Sequence, residues 1–185
     1  LPEEQTLLTL VRYGNVLFSR GSVIPLFMKQ IRENKPLTLT EPEMTRFLLP
    51  LPEAIQLVGF ALENGRQGDI FVRKSSSCTV GDIAKALINI FHSKSEVKII
   101  GMRHGEKMHE TLVSKEELVR SEDMGDYLRL GLDDRDLNYE KYLSEGEQKL
   151  GQIQDYNSQN ASRLGIEEIE KLLLAQPEIN FALNN

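Results

Sequence analysis

Gly101-Met102-Arg103-His104-Gly105-Glu106-Lys107-Met108-His109-Glu110-Thr111-Leu112 packs ionisable groups around a glycine directly after the short, β-branched run at residues 97–100. That run predicts a buried strand, and the ends of strands are where α/β proteins bind ligands. Arg103 would then sit at a strand end with a planar fork suited to phosphate, beside Gly105, which lets the backbone come close, and Glu106, which can accept from a hydroxyl pair. The stretch therefore reads as a ligand clamp. A charged turn leading into a helix fits the same spacing, so both readings stay open at this level.

Outward from this stretch the apolar periodicity alternates between strands and helices. Residues 6–11 are almost continuously apolar or β-branched, as in a strand covered on both faces. Ser22 can cap a helix whose stripe is Ile24, Phe27, Met28 and Ile31, closed by Asn34-Lys35-Pro36. Residues 37–40 and 45–49 read as two short strands, expected to be neighbours in a small sheet. Pro52 opens a helix with an expected inward face of Ala54, Ile55, Val58, Ala61 and Leu62, ending near Asn64-Gly65. Residues 69–72 form the next buried strand. Thr79-Val80-Gly81-Asp82 resembles a capping box for a helix carrying Ile83, Leu87, Ile90 and Phe91. The order β, α, β, β, α, β, α, β predicts an α/β domain. Beyond residue 121 the chain turns polar and weakly periodic until Ile166, Ile169, Leu172 and Leu173 restore a helical stripe.

Composition removes several classes of function. The 185 residues suffice for a domain burying roughly 70% of its unfolded surface. A net charge of −6 and a pI near 5.2 argue against nucleic acid and anionic membranes as partners, so any anion site must be local. Cys78 is the only cysteine, which rules out an internal disulfide and points to a reducing, cytoplasmic compartment. No signal peptide pattern and no apolar run near the ~18 residues of a membrane span is present. The first residues, Leu1-Pro2-Glu3-Glu4, carry no initiator methionine, as expected of a fragment or trimmed product. His109-Glu110 is not a zinc-protease motif, because Val113 stands where the second histidine belongs. With His92, His104 and His109 as the only histidines, no metal site is expected. No two glycines are spaced i and i+2, so the dinucleotide fingerprint is missing, as are a P-loop and a nucleophile elbow; Ser75-Ser76-Ser77 reads as a flexible loop.

Arg12-Tyr13-Gly14-Asn15-Val16, Ser19-Arg20-Gly21-Ser22-Val23-Ile24-Pro25, Met44-Thr45-Arg46-Phe47 and Arg103-His104-Gly105-Glu106-Lys107 together resemble the carboxyl-terminal half of the extended short-chain dehydrogenase/reductases. Within that family they look most like bacterial UDP-N-acetylglucosamine 4,6-dehydratases with 5-epimerase activity, which make capsule and O-antigen precursors. Asp123-Met124-Gly125-Asp126-Tyr127, Arg135-Asp136-Leu137-Asn138-Tyr139 and Asp155-Tyr156-Asn157-Ser158, together with His104, resemble the inverting subgroup. The resemblance implies terminal Rossmann strands and a substrate-binding α/β domain over residues 1–121, an extended arm over 122–160, and a C-terminal helix and tail over 161–185.

The same resemblance implies a site. Asn15 would hold the sugar nucleotide, Gly21, Ser22 and Val23 would approach it from a helix N-terminus, Arg46 and Arg103 would grip the diphosphate, and Glu106 would take the uridine ribose. For Arg46 a surface ion pair with Glu41 or Glu43 is the alternative. Tyr13, Gly14 and Val16 would line the nicotinamide end of an NADP cleft whose main part lies elsewhere. No catalytic residue is expected in this chain. The family's Tyr-x-x-x-Lys pair is missing, since Leu17, Gly131, Leu143, Gly146 and Asn160 follow the five tyrosines at the fourth position. The resemblance thus implies the UDP-sugar-binding part of an enzyme that is a homo-oligomer when complete. A non-catalytic UDP-sugar-binding or oligomerisation module and a UDP-sugar 4-epimerase of the same family are the alternatives.

Overall fold

The computed structural model describes residues 6–132 and 153–184. Its elements are β1 (Leu10–Arg12), α1 (Val23–Arg32), β2 (Leu37–Leu39), β3 (Thr45–Phe47), α2 (Leu51–Asn64), β4 (Ile70–Arg73), β5 (Ser77–Thr79), α3 (Val80–Ile90), β6 (Val97–Ile99), β7 (Thr111–Val113), α4 (Lys115–Val119), β8 (Ser121–Met124), β9 (Tyr127–Leu130), β10 (Tyr156–Asn157), α5 (Ile166–Leu174) and α6 (Pro177–Leu183). The chain is mixed α/β, with parallel and antiparallel pairs. It forms two compact units, each assembled from three separate stretches.

The first unit takes Leu1–Tyr13, Pro52–Lys74 and Thr111–Tyr156. Its sheet has the order β1-β4-β9-β8, with β1 parallel to β4 and the β8–β9 hairpin antiparallel. Gly125, at φ 77°, allows the tight connection between Met124 and Tyr127, which face each other across that hairpin. Leu57 and Ala61 of α2 bury against Phe71, and Phe60 packs edge-on to Phe71 and stacks on Tyr127 at 4.1 Å. Truncating a fully buried side chain such as Leu57 would cost about 2–5 kcal/mol. Arg12 closes the unit with a bidentate pair to Glu117 at 2.8 and 3.0 Å, while its Nη1 also donates to the Leu112 carbonyl.

The second unit takes Gly14–Leu51, Ser75–Glu110 and Asn157–Asn185. Its core joins Ile24, Phe27 and Ile31 of α1, Leu37 and Leu39 of β2, Ile83 and Leu87 of α3, and Ile169 and Leu173 of α5. The i, i+3, i+7 spacing in α1 gives one buried face, and Thr79 caps α3 by accepting the Asp82 N–H at 3.0 Å.

Several expectations are corrected. β2 and β3 are not neighbours: β2 pairs in parallel with β6, and β3 pairs antiparallel with β5. β6 is exposed rather than buried, because among the described residues its sheet has two strands, which leaves Val97 and Ile99 uncovered. In α2 the buried positions are Ala54, Leu57 and Ala61, while Ile55, Val58 and Leu62 are 62%, 43% and 76% exposed. The serine run is not a loose loop, since Ser77 is fully buried in β5. Residues 121–130, expected to belong mostly to an arm, form β8 and β9, where Leu128 and Leu130 are buried. The remainder of that expected arm, with the motif at residues 135–139, lies largely outside the described residues.

Candidate functional site

All seven residues expected to hold the sugar nucleotide belong to the second unit. The stretch that carries Arg103 is a loop fastened at both ends. At its start the Ile100 N–H donates to the Leu39 carbonyl at 2.7 Å. Gly101 and Gly105 take φ of 81° and 87°, the left-handed region that a side chain would strain. Between them the turn closes on itself: the Arg103 N–H donates to Glu106 Oε2 at 3.0 Å, and the Glu106 N–H to the Arg103 carbonyl at 3.2 Å. The Arg103 guanidinium is exposed and has no hydrogen bond or ion pair among the described residues. Glu106 keeps its second carboxylate oxygen available as an acceptor.

The far end of the loop is held by β3. The Thr45 N–H donates to the Met108 carbonyl at 2.9 Å. Arg46 donates from Nη2 to the Lys107 carbonyl at 2.9 Å and from Nη1 to the Thr45 and Met108 carbonyls at 2.7 and 3.3 Å. Its acidic neighbour is Glu110 at 3.6 Å, not Glu41 or Glu43. The guanidinium therefore faces backbone acceptors of the loop, where an outward anion grip was expected. The turn around Ser158 completes the fastening by exchanging two hydrogen bonds with Glu110.

Asn15 is fixed by its backbone, whose carbonyl accepts the Leu49 N–H at 3.1 Å, while its exposed side chain makes no hydrogen bond among the described residues. Hydrogen bonds thus string the three segments together: Asn15 is tied to the end of the β3 segment, and Arg46 in that segment is tied to the loop of Arg103. Gly21, at φ 78°, turns the chain into α1, and the Ser22 N–H donates to the Ser19 carbonyl at 3.0 Å. Ser22 makes no side-chain cap on α1.

Of the residues expected at the cofactor, Gly14 has a packing explanation: a Cβ there would lie 2.4 Å from the Phe47 Cβ. Val16 bridges to Leu49, and Tyr13, in the first unit, is 46% exposed. None of the three is a cation that could neutralise a cofactor phosphate.

Thr45, His109 and Ser158 form a polar cluster that the motifs did not single out, with Thr45 Oγ1 at 2.8 Å from His109 Nδ1 and 2.7 Å from Ser158 Oγ. No periodicity could have found it, because the three residues come from distant parts of the chain. Each of the three lies in a stretch already quoted for other reasons, and the polar turn Asn157-Ser158-Gln159-Asn160 carried a local signal, since such residues close turns through their own side chains.

A family model described as polysaccharide biosynthesis protein matches residues 2–131, and a second, polysaccharide biosynthesis protein C-terminal, matches residues 133–180. The UDP-glucose 4-epimerase of Rickettsia felis is 54% identical over 181 residues, covering 98% of this chain and 53% of that protein. Its counterpart from Rickettsia canadensis is 53% identical with the same coverage. The chain spans about half the length of the curated relatives it matches. The X-ray structure of Pen from Bacillus thuringiensis superposes with a TM-score of 0.75 at 31% identity, over 92% of this chain and 49% of that one.

Proposed function

The chain belongs to the polysaccharide biosynthesis protein family, and from that premise we propose that it is the UDP-sugar-binding part of a nicotinamide-dependent nucleotide-sugar enzyme. The observation that carries the reading is the unengaged Arg103 guanidinium on a loop pinned at both ends. A free arginine held in place by backbone contacts suits bidentate capture of a diphosphate, because the loop is ordered before the ligand arrives. Asn15 and the first turn of α1 supply neutral donors, and Glu106 supplies an acceptor for ribose. Arg46 acts on the anion indirectly, by holding the loop.

For the complete enzyme we propose an NADP-dependent UDP-N-acetylglucosamine 4,6-dehydratase/5-epimerase, serving capsule or O-antigen synthesis in the cytoplasm. When bound, the nicotinamide would accept hydride from C4 of the sugar and return it. The names of the Rickettsia relatives support a second reading, 4-epimerisation of a UDP-hexose. This chain's residues bind and orient in either case, and the chain by itself is expected to be inactive.

Calorimetric titration of the chain with UDP, UDP-N-acetylglucosamine and UDP-glucose tests the binding reading. Heat that saturates with all three UDP compounds and is absent with uridine is expected; no binding of any of them would refute it. For the chain joined to the half that its relatives carry in addition, product analysis separates the reactions: a 4-keto-6-deoxy sugar supports the dehydratase and a C4 epimer alone supports the epimerase.

A further inference from the structure

Thr45 and Ser158 are 1% and 0% exposed, yet both carry hydroxyls, and together with His109 they form a chain of hydrogen bonds at the end of the ligand loop. A hydroxyl has one proton to give and two lone pairs to receive. The Ser158 hydroxyl gives its proton to the Thr45 carbonyl at 3.1 Å and receives the Glu110 N–H at 2.9 Å. Its 2.7 Å contact with Thr45 Oγ1 must then use the Thr45 proton. Thr45 Oγ1 in turn can meet His109 only as an acceptor, so His109 Nδ1 carries a hydrogen. Run in the opposite direction, the chain would make one hydrogen bond fewer, forgoing the Ser158 contact to a Thr45 carbonyl that Arg46 Nη1 would still satisfy.

We propose that the Thr45–Ser158 hydroxyl pair is a positioning device, which selects the Nδ1-protonated tautomer of His109 whenever its ring is uncharged, so that Nε2 is then the ring's acceptor, and which seats the 101–110 loop for its ligand. The last part rests on the UDP-sugar reading above. Thr45 and Ser158 are positioning residues, since they act through the loop and touch no ligand themselves. If the pair merely filled space, Thr45→Val would be tolerated, being close in shape, and Thr45→Ser would be the harmful change. The proposal requires the reverse.

The test uses the full 15N-labelled chain, whose three histidines give few ring signals. Long-range 1H–15N spectra of the neutral rings should show His109 protonated at Nδ1 in the wild type and in Thr45→Ser, and at Nε2 or in tautomeric exchange in Thr45→Val. In the same samples, amide exchange over residues 106–110 and the UDP dissociation constant should each rise about tenfold in Thr45→Val and stay within about threefold in Thr45→Ser. Nε2 protonation in the wild type overturns the proposal. So does Thr45→Val that keeps tautomer, slow exchange and affinity, or Thr45→Ser that does equal damage. Should Thr45→Val not fold, the wild-type tautomer and Thr45→Ser decide. If the wild type binds no UDP, the functional reading falls, while the ring spectrum and amide exchange still decide the positioning claim.

Discussion

Arg46 Nη2 donates to the Lys107 carbonyl at 2.9 Å, so an arginine on β3 fastens the loop from which Arg103 projects. With its contacts to Thr45 and Met108, this side chain adds to the backbone bonds that fasten a segment with no regular secondary structure of its own. Arg46, expected to grip the anion beside Arg103, instead fastens the loop, and the Arg103 guanidinium has no partner among the described residues.

Arg46→Met should lower both stability and affinity. Losing the carbonyl contacts should cost about 2 kcal/mol, or about 5 °C in melting temperature for a chain of this size. Arg46→Lys should restore little, because an ammonium lacks the fork that spans several acceptors. Thermal unfolding and UDP titration of the same variant check this. An unchanged melting temperature with lost UDP binding would make Arg46 a direct ligand contact instead.

Glu117 should govern part of the acid stability of the first unit. The Arg12 hydrogen bond, aided by the Ser114 N–H and opposed by partial burial, holds its carboxyl below the ordinary glutamate range. A lowered folded-state value means that the pair stabilises above the unfolded pKa of about 4.3 and that this contribution disappears as pH falls through the lower, folded value. Glu117→Gln should therefore melt below the wild type at pH 7, and the two curves should converge under strongly acidic conditions. A difference that persisted unchanged to low pH would assign the effect to the lost cap of α4 instead.

Cys78 should be inert in the folded chain. Burial, reinforced by the Asp82 charge and opposed by Arg163, pushes its thiol up to about 12. Since the thiolate is the reactive form, modification by a disulfide reagent at pH 8 should be on the order of 100-fold slower in the native protein than in denaturant. Equal rates would mean that β5 opens readily.

Much of this architecture was legible in the sequence where one periodicity dominated. The stripe of Ile24, Phe27 and Ile31 and the Thr79 cap are local features, and both α1 and α3 form where they predict. In α2 apolar residues occur on more than one face, so the pattern could not choose between Leu57 and its exposed neighbours Ile55 and Val58. Strand partners are non-local, and the pairing of β3 with β5 leaves no trace in the spacing of either. The hairpin of β8 and β9 did carry a signal, Leu128 and Leu130 alternating with Tyr127 and Arg129 after Gly125, but the surrounding acidic residues obscured it. At the site, the motifs gave Arg46 and Arg103 the same expected task; the structure separates the two, because the hydrogen bonds of Arg46 end on carbonyls that no motif records.

UDP affinity and unliganded melting temperature, measured together on Arg103→Ala, test the central claim most directly. Charge-assisted hydrogen bonds contribute about 1.5–3 kcal/mol, so losing the guanidinium should weaken UDP binding by about 10- to 100-fold. Because the side chain has no partner among the described residues, the melting temperature should stay within about 1 °C of the wild type. Unchanged UDP affinity, whatever the melting temperature, would contradict the account and remove Arg103 from the site.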